Sequence, residues 1–220
     1  MSSRLRSAGP SLLAACLTVA LATGFVRAAP AGPPTVAVAW PPSSGPLLSE
    51  VMTGGASASD EFIELYDASA DPIDLTGDEV VYVSASGGTV TRKATWGAAT
   101  PLAAGQHLLL ANSAGVYAAV ADGTYSGGLA ATGGAVALRA ADGSVIDAIA
   151  WGDATNNFIE GAAAPAPPAG SSLERLPGAS GGNGVDTNDD SLDWFVQPDP
   201  DPQGLVDPPV PGSPTGSATP

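Results

Sequence analysis

The chain has 220 residues, of which 22 are acidic and 7 basic, for a formal net charge of −15. If Arg4, Arg6 and Arg27 leave with the N-terminal leader described next, 7 − 3 = 4 basic residues remain and the net charge becomes 4 − 22 = −18. Clustered Lys and Arg bind phosphate backbones and anionic lipid headgroups, so this composition excludes direct binding of nucleic acid. A solvated acidic surface, divalent cations and cationic ligands are all compatible with the charge.

Residues 1–29 have the layout of a secretory signal peptide. Two arginines precede an apolar run over 12–26, and small residues follow it, with cleavage predicted after Ala28. The run is short for a membrane span, which needs roughly 20 apolar residues, so we expect no span after leader removal. Two alternatives stay open: a retained anchor helix, and lipidation of Cys16 within a lipobox-like Leu-Ala-Ala-Cys. Because Cys16 is the only cysteine, no disulfide is expected in a secreted or cell-surface product.

The rest of the chain divides by composition into three segments. Residues 30–46 are rich in Pro, Gly and Ser and predict a short flexible lead-in. Residues 198–220 are richer still in Pro and offer little to bury, which predicts a disordered tail. One domain is therefore predicted over 47–197.

Alternation of apolar and polar residues predicts short β-strands within this domain. In chain order they cover 47–51, 61–66, 79–84, 89–96, 106–111, 135–140, 145–151 and 171–176. A helical turn is predicted at 113–121, and Asp142-Gly143 between two apolar runs predicts a type I′ hairpin. Strands of this length and spacing predict an all-β fold, an immunoglobulin-like β-sandwich without a disulfide.

Six short motifs, in this order, resemble the lamin tail domain family. They are Leu48-Ser-Glu-Val51, Glu61-Phe-Ile-Glu-Leu65, Asp74-Leu-Thr-Gly77, Leu102-Ala-Ala-Gly-Gln106, Asp142-Gly-Ser-Val-Ile-Asp147 and Ser172-Leu-Glu-Arg175. The resemblance is closest to the exported bacterial branch, in which an Asp-Thr-Asn-Asp segment before an aromatic closes the domain. It implies a non-catalytic, immunoglobulin-like domain of the kind found on bacterial surface proteins beside hydrolases or nucleases. The chain departs from the family pattern at Asp67 and Asp78, where Asn and an aromatic are common.

Glu50 and Glu64 place carboxylates inside the first two predicted strands. A carboxylate in a strand must be exposed or satisfied by hydrogen bonds. We predict a structural ion pair of one of them with Arg175, because Arg grips a carboxylate with two parallel bonds; Arg139 is the alternative donor. A catalytic carboxylate pair of the glycosidase type is disfavoured, since nothing else in the sequence supplies a sugar cleft.

His107 is the only histidine and opens a predicted strand. Without a second histidine or a mature cysteine it offers no zinc site, and no Gly-x-Ser-x-Gly motif offers it a serine partner. We expect an edge-strand side chain that faces water.

The acidic segment 186–193 is the one candidate metal site in the sequence. Asp186, Asn188 and Asp190 alternate like the first ligands of a calcium loop, and Asp193 follows, so Ca²⁺ is the candidate ion. The segment is not an EF-hand, because position 6 is Ser191 instead of Gly. The alternative is a turn whose side chains bond to backbone amides while Trp194 docks on the sandwich.

Most of the aromatic side chains are expected in the core. This prediction covers Trp151 and Trp194, with an exposed carbohydrate- or peptide-binding face as the alternative.

Three functions remain open from the sequence. The first is an exported, non-enzymatic interaction or structural module that binds an unidentified protein or cell-envelope component through loops or a sheet edge. The second is a secreted hydrolase or its accessory domain, and the third is a structural domain stabilised by calcium. The first needs no cofactor and no catalytic residue.

Overall fold

The structure is a computed structural model that describes residues 40–210. The predicted signal peptide with Cys16, residues 30–39 of the lead-in and residues 211–220 of the tail lie outside this range. Twelve β-strands account for most of the described secondary structure. They are β1 (Pro46–Thr53), β2 (Glu61–Asp67), β3 (Ile73–Asp74), β4 (Glu79–Ser84), β5 (Thr91–Thr95), β6 (Pro101–Leu102), β7 (His107–Asn112), β8 (Gly123–Tyr125), β9 (Gly133–Arg139), β10 (Val145–Gly152), β11 (Ser172–Arg175) and β12 (Trp194–Gln197).

Helical structure within 40–210 is limited to single turns. Two 3₁₀ turns cover Val116–Ala119 and Ala179–Gly181, and α1 covers Asp190–Asp193. None of the helices in the described part of the chain has the length and apolar content to span a bilayer.

The strands form two sheets, which confirms the predicted all-β sandwich. The six-stranded sheet has the order β12-β11-β1-β2-β7-β8, the four-stranded sheet has the order β10-β9-β4-β5, and β3 pairs with β6. All pairings are antiparallel except that of β7 with β8. Every predicted strand is present, whereas β3, β6, β8 and β12 were not predicted, because two to four residues are too short to show alternation.

Alternation in β2 explains how the six-stranded sheet meets the core. Ile63 and Leu65 point inward and join the main apolar cluster with Trp151 and Trp194, both of which are buried as predicted. Phe62 points to the opposite, outer face, together with Glu64 and Tyr66, because successive side chains of a strand alternate between faces. All seven residues of β2 are nevertheless buried, so this outer face must also be covered.

The turn between β9 and β10 is not the predicted type I′ hairpin. Only Gly143 has a positive φ, of 84°, while a type I′ turn needs positive φ at both central residues. The Gly143 N–H instead donates to the Ala140 carbonyl, and Asp142 accepts from the Ser144 N–H and hydroxyl. This is the longer hairpin loop in which a type I turn is followed by a left-handed glycine, and the Asx bonding of Asp142 favours it.

The described part of the predicted lead-in is bound to the domain. The Trp40 indole donates to Glu160 at 2.6 Å, and the Ser43 backbone N–H donates to Asp186. Residues 40–46 were expected to be flexible, but two buried carboxylates bind them to the sandwich. Composition could not indicate this, because the acceptors lie more than 100 residues further along the chain.

The first part of the predicted disordered tail also lies on the domain, and we call residues 201–210 the tail strap. The strap crosses the outer face of the six-stranded sheet, where the Gln203 N–H donates to Glu64 and the Val210 N–H donates to the Gly105 carbonyl. The Tyr66 hydroxyl closes the contact by donating to the Val210 carbonyl at 2.8 Å. The strap is held through its backbone, which explains why its poor apolar content did not reveal it.

Candidate functional site

Arg175 pairs with Asp147 and not, as predicted, with Glu50 or Glu64. Its Nη2 lies 2.7 and 2.8 Å from the two carboxylate oxygens of Asp147, and both side chains are fully buried. Arg175 is in β11 of one sheet and Asp147 is in β10 of the other, so the pair joins the two layers. The alternative donor, Arg139, pairs with Glu79.

The same pair replaces backbone hydrogen bonds at a bulge in β1. The register of β1 with β2 shifts between Leu48 and Glu50, and β11 pairs with β1 only from Glu50 onward. The backbone of Leu48 is satisfied by side chains instead: its N–H donates to Asp147 at 2.6 Å, and its carbonyl accepts from Arg175 Nε at 2.7 Å. Arg175 also lies 4.6 Å from the ring centre of Trp194, a cation–π contact.

Three more carboxylates surround this pair, and we call Asp147, Glu160, Asp186, Asp190 and Arg175 the cross-sheet cluster. Asp147, Glu160 and Asp186 each offer an oxygen within 4.8 Å of the others. Asp190 lies against Glu160, because its Oδ2 accepts from the Glu160 backbone N–H at 3.1 Å and from the Ala150 N–H at 3.0 Å. Glu160 and Asp190 thus cover the Ala148 and Ala150 N–H groups on the edge of β10, and four carboxylates lie near one guanidinium.

Burial disfavours the charged form of these acids. It raises the pKa of Glu160 to about 8, with a further contribution from the negative charge of Asp147. Burial also raises the pKa of Asp147 to about 7, although the positive charge of Arg175 acts in the opposite direction. The pKa of Asp190 is raised by burial and by the neighbouring charge of Glu160. Burial opposes the charge of Arg175 as well, but the surrounding carboxylates, Asp147 foremost, hold its pKa above the usual value. The fold therefore concentrates more negative charge here than its one buried cation neutralises.

The four predicted calcium ligands do not all face one another. Asp193 turns back along its own loop and accepts from the Thr187 N–H and hydroxyl, each at 2.7 Å. Asp186 and Asp190 instead enter the cross-sheet cluster, while Asn188 has a positive φ of 57° and donates to the Trp40 carbonyl. Two of the four predicted ligands thus lie in the cross-sheet cluster, and the sequence analysis did not include Asp147 or Glu160. A lone carboxylate in the apolar run of β10 was the available signal for Asp147.

A second group of buried polar side chains lies on the outer face of the six-stranded sheet, and we call Glu50, Glu64, Glu174 and His107 the outer-face cluster. Glu50 is directly opposite both Glu64 and Glu174 on the neighbouring strands. Burial raises the pKa of Glu50 to about 8, and burial together with the charge of Glu50 raises that of Glu64. Ser172 donates to Glu50, and Ser49 donates to Glu64 at 2.7 Å.

His107 is buried, which makes the prediction of an exposed edge side chain wrong. Its Nε2 lies 3.0 Å from Asn183 Oδ1 and 3.7 Å from Glu64, and burial lowers its pKa. β7 is an interior strand, flanked by β2 and by the short β8 that the sequence did not reveal. The tail strap then closes over the outer-face cluster by its contact with Glu64.

The two sheets also leave a groove between the edge strands β5 and β8. Its volume is about 420 Å³. β5 hydrogen-bonds only to β4 within 40–210, so its other edge faces this groove. Lys93 crosses the far end and donates to three carbonyls of residues 126–128, while Arg92 and Thr124 are exposed along the rim.

A family model matches part of the chain. The family model described as the Lamin Tail Domain matches residues 41–153, slightly more than half of the chain, which covers β1 to β10. No curated protein matches the sequence. β11, β12, the tail strap and three of the four carboxylates of the cross-sheet cluster lie beyond the matched residues.

Proposed function

Because the chain belongs to the lamin tail domain family, we propose that it acts as an exported, non-catalytic interaction module of the bacterial cell surface. The partner is an extended segment of a protein of the cell envelope, which adds a strand to the free edge of β5. The unpaired edge of β5 beside an open groove carries this proposal. An extended peptide at such an edge gains affinity from main-chain hydrogen bonds, while side-chain pockets give specificity.

The shape and charge of the groove suit a narrow, acidic occupant. Trp96 and Leu110 provide apolar walls, and Gly123 lines the β8 side. Arg92 is exposed to 63%; its Nε already donates to Glu79, and its remaining guanidinium nitrogens favour a partner with a carboxylate at that position. The opposing edge of the four-stranded sheet is covered: the Gly152 N–H of β10 donates to the Ala164 carbonyl.

The groups that a hydrolase would need have structural partners. His107 is bonded to Asn183, and Glu64 is bonded to Ser49 and to the tail strap. A general base must reach the proton that it removes, whereas these side chains are buried under the strap. This supports the non-catalytic proposal over the alternative of a secreted hydrolase.

The test measures binding of the purified chain to isolated cell envelopes, with a screen for ester, phosphodiester and glycoside hydrolysis alongside. Thr124→Trp should fill the groove without adding charge and lower binding at least about tenfold, a loss on the order of 1.4 kcal/mol. Thr89→Trp adds the same side chain at an exposed position outside the groove and should bind like the wild type. Equal binding by both variants would reject the β5 edge as the site. Turnover that survives purification would support the hydrolase instead.

A further inference from the structure

The cross-sheet cluster contains buried oxygens that the protein itself leaves without a hydrogen bond. Glu160 Oε2 and Asp190 Oδ1 have no donor among residues 40–210, although both residues are fully buried. Asn188 Oδ1 is a third such atom in the same part of the structure. Buried polar atoms are satisfied in the great majority of cases, so three unsatisfied oxygens in one region point to a partner that is not protein.

Contacts connect the residues that carry these oxygens. The Trp40 indole donates to Glu160 Oε1, and the Trp40 carbonyl accepts from Asn188. Asp190 accepts from the backbone of Glu160, and the Asn188 N–H donates to Asp186 at 3.0 Å. Glu160 and Asp186 also share the 4.8 Å group with Asp147.

We propose that the cross-sheet cluster binds one Ca²⁺ ion, with Asp147, Glu160 and Asp186 as its side-chain ligands. Asp147 also accepts from Arg175 and from the Leu48 N–H, so it would share its oxygens between the guanidinium and the ion. The ligand set therefore differs from the loop-only set of the sequence prediction: Asp186 is kept, Asp147 and Glu160 are added, and Asn188, Asp190 and Asp193 are not included.

Charge and ligand type select the ion. Four carboxylates and one guanidinium have a net charge of −3 when ionised, and a divalent cation reduces this to −1. All three ligands offer hard oxygens, which Ca²⁺ takes in sets of six to eight with flexible geometry, whereas Zn²⁺ prefers nitrogen and sulfur. Asp186 also lines a surface cleft of about 230 Å³ with Ser43 and Thr187, which gives the ion a path of entry.

Ca²⁺ here would join separate parts of the domain. Asp147 lies in β10, Glu160 follows β10, and Asp186 precedes β12. The alternative is that protons neutralise Glu160 and Asp190. A bound ion predicts that calcium raises the melting temperature, whereas protonated carboxyls predict no change.

The test compares melting temperatures in 10 mM CaCl₂ and in EDTA at neutral pH, using the whole purified chain. Extracellular calcium modules bind at about 10⁻⁴ M, so a roughly hundredfold excess should raise the melting temperature by about 5–10 °C. Glu160→Gln should abolish that rise. Glu50→Gln is the matched control, since Glu50 is also a buried glutamate with a pKa of about 8 but lies in the outer-face cluster.

Terbium provides a second measurement that does not require the variant to fold. Tb³⁺ occupies calcium sites and emits when excited through a nearby indole, and the Trp40 ring touches Glu160 at 2.6 Å. Wild-type protein should show sensitised emission that excess Ca²⁺ displaces. Equal melting temperatures with calcium and EDTA, or wild-type emission that Ca²⁺ fails to displace, would overturn the proposal and favour protonated carboxyls.

Discussion

Replacing Arg175 with Met tests whether the contact between the sheets depends on one buried charge pair. The change keeps most of the apolar length of the side chain but leaves Asp147 without its guanidinium and the Leu48 and Val185 carbonyls without donors. Removing one partner of a buried ion pair costs about 3–5 kcal/mol, and each orphaned acceptor adds on the order of 1 kcal/mol. Since domains are stable by about 5–15 kcal/mol, Arg175→Met should lose a large part of the free energy of unfolding.

Urea unfolding of four proteins measures this effect: wild type, Arg175→Met, Asp147→Asn and the double variant. Asp147→Asn should partly rescue Arg175→Met, with a coupling energy of about 1–3 kcal/mol, because the uncompensated carboxylate is then gone. The loss in Arg175→Met should also shrink as the pH falls from about 8 to about 5, since an unpaired buried Asp147 takes up a proton. A loss below about 1 kcal/mol, the range of exposed ion pairs, would refute the reasoning.

Two further predictions concern the outer-face cluster and the tail strap. Because burial raises the pKa of Glu64, its protonated form stabilises the fold fully below the unfolded value near 4.5, and that stability is lost as the pH rises. In chelator, the free energy of unfolding of the wild type should therefore decline between about pH 5 and pH 8, by at most about 1.4 kcal/mol per pH unit, and Glu64→Gln should remove part of this decline. Glu79→Gln should not remove it, because the Glu79 carboxylate has a lowered pKa. Parallel curves for wild type and Glu64→Gln would contradict this. Tyr66→Phe removes the bond to the Val210 carbonyl and should cost about 0.5–1.5 kcal/mol, with faster amide exchange at Val210; unchanged exchange there would mean that the strap does not depend on this bond.

The strands could be predicted from sequence because a half-buried strand shows alternation. β4 was predicted with its observed bounds, Glu79–Ser84, and the opening pair β1 and β2 to within two residues. This information is local, and so is the family resemblance, whose motifs lie in strands or in the turns next to them. Short strands such as β8 carry too few residues for a pattern.

The partners of the charged residues could not be predicted in the same way. For Glu50 and Glu64, alternation states only that they face away from the core, not that a strap covers that face. Arg175 was matched with these two strand carboxylates because Arg can bind a carboxylate with two parallel bonds. Its partner, Asp147, lies in the other sheet, and only the stacking of the two layers brings it close.

The strap has a mechanical consequence. The Ala68 N–H donates to the Gly45 carbonyl, the Gly105 N–H donates to the Asp67 carbonyl, and the Val210 N–H donates to the Gly105 carbonyl. The chain therefore enters and leaves the sandwich at the same end. A force applied between the two flanking segments would peel the strap from the sheet one hydrogen bond at a time and would not shear the sheets apart. Under such a load the tail would lengthen while the sandwich stayed folded.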